Sequence, residues 1–146
     1  MFMYKIILIL TMNACVLFNS KAECSEKEKY IKIKISVNNQ IAIATIYDNP
    51  TAKDFLSLLP LTLELKDYAS TEKVSDLSKK LSLKDAPSGC TPTNGDIAYY
   101  SPWGNLAFYY KDFSYSEGLI KIGKIESGME IFNSKSPLTA KIEILN

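Results

Sequence analysis

The chain has neither histidine nor arginine in its 146 residues. Without histidine it lacks the base of the Ser-His and Cys-His pairs, leaving a lysine-activated serine as the covalent route that counting allows. Histidine is also a common zinc ligand, and none of Cys15, Cys24 and Cys90 stands in a Cys-x-x-Cys pair, so no metal is expected. No Gly-x-Gly-x-x-Gly or Walker-type loop is present, so no nucleotide cofactor is expected either. An excess of one charge is missing too: 17 basic residues stand against 16 acidic ones, with no basic run. That balance gives no electrostatic argument for a nucleic-acid partner.

Only one long apolar run exists, from Ile6 to Phe18, behind a short positive start that ends at Lys5. Ser20-Lys21-Ala22 places small residues where an export peptidase cuts, so residues 1–22 read as a signal peptide. Interrupted by Asn13, the run is short of the roughly 20 residues a spanning helix needs. Release into a periplasmic or secreted location is the leading expectation. A lipid anchor on Cys15 or Cys24 is the weaker alternative, because neither cysteine follows a good lipobox. Cleavage would leave a polar lead, 23–29, and a single domain over 30–146. Cys24 and Cys90 would then share an oxidising compartment, where they either pair or remain separate thiols.

Alternating apolar residues mark the strands. Ile31, Ile33, Ile35 and Val37 alternate with Lys32, Lys34 and Ser36, and Asn38-Asn39 turns the chain into a returning strand, Ile41 to Tyr47. Thr51 reads as a helix N-cap, with Phe55, Leu58 and Leu59 forming an apolar stripe before Pro60. A strand follows over Leu61–Asp67. The signal then weakens from Ala69 to Asn94, with a short helical turn expected over Ser75–Leu81. Further strands are expected over Asp96–Tyr100, Asn105–Tyr110, Leu119–Ile125 and Leu138–Leu145, and a short helix over Met129–Phe132. Many short strands and few helices indicate a closed barrel or a sandwich, between which periodicity does not choose.

Three stretches carry a resemblance. They are Tyr47-Asp48-Asn49-Pro50-Thr51-Ala52-Lys53-Asp54-Phe55, Gly95-Asp96-Ile97-Ala98-Tyr99-Tyr100, and Ile120-Lys121-Ile122-Gly123-Lys124-Ile125-Glu126-Ser127-Gly128-Met129. In order and spacing the chain resembles the cyclophilins, and most closely the bacterial cyclophilin-like fold family, from Ile31 to the C-terminus. The resemblance implies a mainly β fold: a closed antiparallel barrel of about eight strands, with one main helix and one or two short ones. Cyclophilins are prolyl isomerases that stabilise a twisted amide with an arginine beside an apolar pocket. This chain has no arginine, and the family's histidine position falls at or near Leu119. Lysine lacks the planar multi-donor fork of arginine.

What the chain has in quantity is aromatic side chains, clustered from Tyr99 to Tyr115. Strand alternation sends about half of them inward. Tyr100, Trp103, Asn105, Phe108, Phe113 and Tyr115 are the candidates for a ligand-facing surface, because amphipathic rings bind peptides or small molecules at low ordering cost. The leading expectation is therefore an exported binding module with an aromatic cleft for a peptide or small ligand and no efficient catalysis. The alternative is a weak peptidyl-prolyl isomerase acting on exported proteins. A third reading is a hydrolase using Asp67, Glu72, Asp76 and Asp85 of the weakly patterned region.

Overall fold

The computed structural model describes residues 30–146. The expected export segment, Cys15, Cys24 and any pairing of Cys24 with Cys90 lie outside the described residues.

Ile33, Ile35 and Val37 of β1 (Ile31–Val37) and Ala42, Ala44 and Ile46 of β2 (Gln40–Ile46) enter one buried interior. Between the two strands Asn38 takes a φ of 53°, a left-handed conformation that asparagine tolerates. The chain then enters α1 (Pro50–Leu56), whose N-cap is Asn49 rather than Thr51. Asn49 Oδ1 accepts from the Ala52 N–H at 2.8 Å, and Pro50 occupies the first turn, where a missing N–H costs nothing. Thr51 instead donates its hydroxyl to the Ser82 carbonyl at 2.6 Å. The helix stops at Leu56. Leu58 and Leu59 bond back to Phe55 and Leu56 in tighter turns, because the residue before Pro60 is disfavoured in α conformation. Phe55 is fully buried, whereas Leu58 and Leu59 are only half-buried, less than their place in the stripe suggests.

Next come β3 (Leu61–Tyr68) and β4 (Glu72–Asp76), the latter running through part of the segment expected to hold a helical turn. Pairing decides the conformation there. β4 is hydrogen-bonded to β3 on one side and to β7 on the other, although its sequence, Glu-Lys-Val-Ser-Asp, shows no apolar alternation. A two-residue β5 (Gly89–Cys90), β6 (Asp96–Tyr100), β7 (Asn105–Tyr109), a two-residue β8 (Ser116–Glu117) and β9 (Leu119–Ser127) follow. A 3-10 turn over Met129–Asn133 leads into β10 (Leu138–Ile144).

Eight of these strands close an antiparallel barrel in the order β1-β10-β3-β4-β7-β6-β9-β2, while β5 and β8 form a separate ribbon. The interior is filled by apolar residues of every barrel strand except β4 and includes Phe55 and Phe132 from outside the strands. Phe132 stacks on Phe108 at 5.2 Å. A second, smaller apolar cluster of Ala98, Ala107, Tyr109 and Leu119 lies on the opposite face of β6, β7 and β9. That outer cluster floors the candidate site.

Candidate functional site

Along β6 and β7 the side chains alternate strictly. Ile97, Tyr99, Leu106 and Phe108 enter the barrel core, while Ala98, Tyr100, Asn105, Ala107 and Tyr109 face outward. Register then builds a surface of three rungs. Tyr68, Glu72 and Tyr109 share the first rung; Val74, Ala107 and Ala98 the second; Asp76, Asn105 and Tyr100 the third. Alanines in the middle rung leave a hollow that larger side chains would fill.

A cavity of about 210 Å³ occupies the hollow, lined among others by Tyr68, Glu72, Tyr100, Trp103, Asn105 and Phe113. Trp103 stands on the turn between β6 and β7, which Gly104 completes with a φ of 69°. Its indole meets Tyr68 edge-on at 5.7 Å and Tyr100 edge-on at 5.3 Å, the preferred geometry for aromatic quadrupoles. Even so the indole is 58 % exposed, so it is a wall of the cavity and not a plug in the barrel. Opposite, the β5/β8 ribbon positions Phe113 and Ser116. Its loops are pinned by the Phe113 N–H on the Pro92 carbonyl at 3.1 Å and the Asn94 N–H on Asp112 Oδ1 at 2.8 Å.

Of the six residues expected at a ligand surface, Tyr100, Trp103, Asn105 and Phe113 line this cavity. Phe108 does not. It sits on the inward phase of β7, wholly buried in the barrel. Tyr115 also lies outside the lining, with its hydroxyl 3.1 Å from Ser88 Oγ.

Two polar groups define the cavity chemically. Asn105 is 4 % exposed, and its Oδ1 is buried with no hydrogen-bond partner among the described residues. A buried acceptor left unmade costs on the order of 1–3 kcal/mol, so this amide is poised for a donor. Glu72, at the other end, is 8 % exposed. Burial pushes its carboxyl above the usual range, and the nearby Asp67 pushes the same way. Hydrogen bonds from the Thr71 hydroxyl, at 2.5 Å, and from Tyr109 offset this only in part. Burial, and after it the Glu72 carboxylate, raise the Tyr109 phenol.

Sequence reasoning placed Glu72 only in a loose group of loop acids, which the fold disperses. Only Glu72 lines the aromatic cavity; Asp85 borders a separate one of about 230 Å³, beside Asn49, Pro87 and Lys121. Asp67 pairs with Lys73 at 3.2 Å and accepts from Tyr110, and Asp76 is exposed. No lysine lines the aromatic cavity among the described residues. Lys73, one rung position from Glu72, points the other way into the barrel, where it meets Asp67 and the Ser134 carbonyl. Lys111 lies over the Tyr110 ring at 5.9 Å. The described residues hold no group of three or more Cys, Asp or Glu able to cage a metal.

A closed eight-stranded antiparallel barrel carrying a hollow on its outer wall is the cyclophilin-like class of architecture. The family model described as the Cyclophilin-like family matches residues 35–143, and the chain belongs to that family. The solution structure of a hypothetical protein from Archaeoglobus fulgidus superposes with a TM-score of 0.55 at 14 % identity. That match covers 82 % of this chain and 98 % of the archaeal one, and it speaks for the fold alone. None of the curated proteins compared with the chain matches it.

Proposed function

We propose that this protein is an exported binding module whose aromatic cleft takes a peptide or small ligand, and that it does not catalyse prolyl isomerisation efficiently. The observation that carries the reading is the cavity walled by Tyr68, Tyr100, Trp103 and Phe113, with Asn105, whose buried Oδ1 has no partner among the described residues, in its lining. An apolar hollow with a few placed polar groups is the usual form of a ligand site. Isomerisation asks for something else, a cationic or strong donor aimed at the twisted amide. Among the described residues the one charged side chain lining the cavity is an acid, Glu72. Export enters from the N-terminal segment alone, and no described helix is long and apolar enough to cross a membrane.

Amide chemical-shift mapping with a mixture of short peptides tests the cleft. Shifts clustered at Tyr100, Trp103, Asn105 and Phe113 are expected; shifts confined to other parts of the barrel, or none, would sink the reading. A protease-coupled assay on a standard proline peptide tests the catalytic half. Loss of a well-placed transition-state donor costs about 100- to 1,000-fold, so activity at least that far below an ordinary cyclophilin is expected. Comparable activity would revive the isomerase reading.

A further inference from the structure

The cleft is asymmetric in charge, and the asymmetry specifies a ligand more narrowly than its apolar walls do. Among the described residues, the carboxyl at one end has no cation beside it and the neutral acceptor at the other has no donor. Three rings, Tyr68, Trp103 and Tyr100, line the space between, with Trp103 at a steep angle to each of the other two, and aromatic faces attract a cation. The floor is aliphatic, made by Val74 and Ala107. Resting on the cleft-binding reading above, we propose that the cavity takes the side chain of a lysine in an extended peptide. The ammonium lies among Tyr68, Trp103 and Glu72, and the peptide's own backbone N–H donates to Asn105 Oδ1.

Each part of the lysine meets a matching surface. Its methylene stem is apolar and packs on Val74 and Ala107, as lysine stems do when the head finds a polar site. Its head is a compact charge that Glu72 neutralises in a partly desolvated place, where cation–π contacts are strongest. Along β7 the two ends of the site, Tyr109 and Asn105, are four residues apart, about 13 Å of strand. Glu72 is paired with Tyr109 at one of those ends and Asn105 stands at the other, a span of the order that a lysine side chain and its peptide unit cover. Arginine would need a fork of acceptors, and Glu72 already accepts from Thr71 and Tyr109.

Trp103 is the chain's only tryptophan, so its fluorescence reports directly on this cavity. The full domain, 23–146, is titrated by fluorescence and calorimetry with a short peptide carrying a central lysine. Parallel titrations use the same peptide with norleucine in place of lysine, and pentylamine. The lysine peptide should bind at least about tenfold more tightly than either, and Glu72→Gln should erase its advantage over norleucine. Norleucine binding equally well would overturn the inference while leaving the cleft reading intact. Pentylamine binding as tightly as the peptide would also overturn it, pointing to free amines. Failure of all three probes, in a protein whose cleft still answers the peptide mixture by chemical shift, would overturn the lysine inference alone; silence in both experiments would remove the cleft reading with it.

Discussion

Glu72 and Lys73 are neighbours in sequence that end in opposite worlds, and the difference lies in which partners each face of β4 supplies. Lys73 is wholly buried, yet it has Asp67 at 3.2 Å, the Ser134 carbonyl and the Tyr110 ring around it. The Tyr110 hydroxyl, then Lys73, hold Asp67 below the usual carboxylate range against the pull of its burial. Burial and that same hydrogen bond push Tyr110 up to about 12. Glu72 lines the cleft with hydroxyls for partners and, among the described residues, no cation. Its raised pKa means that the folded state holds the proton more tightly than the unfolded chain does. The stability this confers is complete below the ordinary glutamate value of 4.5 and is lost as pH rises through the higher folded pKa. Glu72→Gln should therefore stabilise the domain at neutral pH, on the order of 1 kcal/mol. The gain should vanish in acid, where both side chains are neutral. Urea denaturation at several pH values reads this, and a gain independent of pH would exclude the carboxylate as its cause. Asp96 is the contrasting case. Burial raises its pKa, but the Thr93 N–H, Lys121 and Lys124 together outweigh that and hold it down, so its contribution is lost as pH falls.

Elements with one apolar face were legible in the sequence, and those that depend on partners were not. β1 and β3 show clean alternation, β2 is apolar on both faces and is marked by the Asn38-Asn39 turn before it, and the expected bounds of all three lie within a residue of those observed. β4 carries an inward lysine and no alternation, so nothing local distinguishes it from a loop. β9 breaks phase instead. Its pairing with β6 shifts register between Ile97 and Ala98, and its pairing with β2 shifts between Ile43 and Ala44. These bulges let Ile120, Ile122 and Ile125 all reach the core, which strict alternation forbids. Gly123 lies beside the irregularity because a Cβ there would come within 2.5 Å of the Thr45 carbonyl. The site shows the same division. A dense aromatic stretch singled out Tyr100, Trp103, Asn105 and Phe113, which line the cavity, and also Phe108, which enters the barrel core because the outward phase of β7 belongs to Asn105, Ala107 and Tyr109. Glu72 needed the β4 pairing to be seen. For α1, the fully buried Phe55 is the contact that fixes the helix to the barrel. Phe55→Ala should cost about 3–5 kcal/mol in the same urea experiment. A loss under 1 kcal/mol would mean that the helix is not seated on the core.

At the scale of the whole molecule, closure depends on the first described strand. β1 lies between β2 and β10, pairing Ile35 with Ala42 on one side and with Ile142 on the other. The barrel is thus sealed by a contact between its two chain ends, and such long-range pairing forms only after most of the chain is ordered. Everything in the described barrel lies at or after Ile31, so cutting after Ala22 removes none of it. A chain beginning at Glu23 should therefore unfold in one cooperative transition. One beginning at Asn38 loses β1, exposes the edges of β2 and β10, and opens the apolar interior to water. It should fail to fold or should aggregate. Far-UV circular dichroism and size-exclusion chromatography on the two proteins separate these outcomes. A folded, monomeric chain from Asn38 would mean that the barrel does not need the β1 seam.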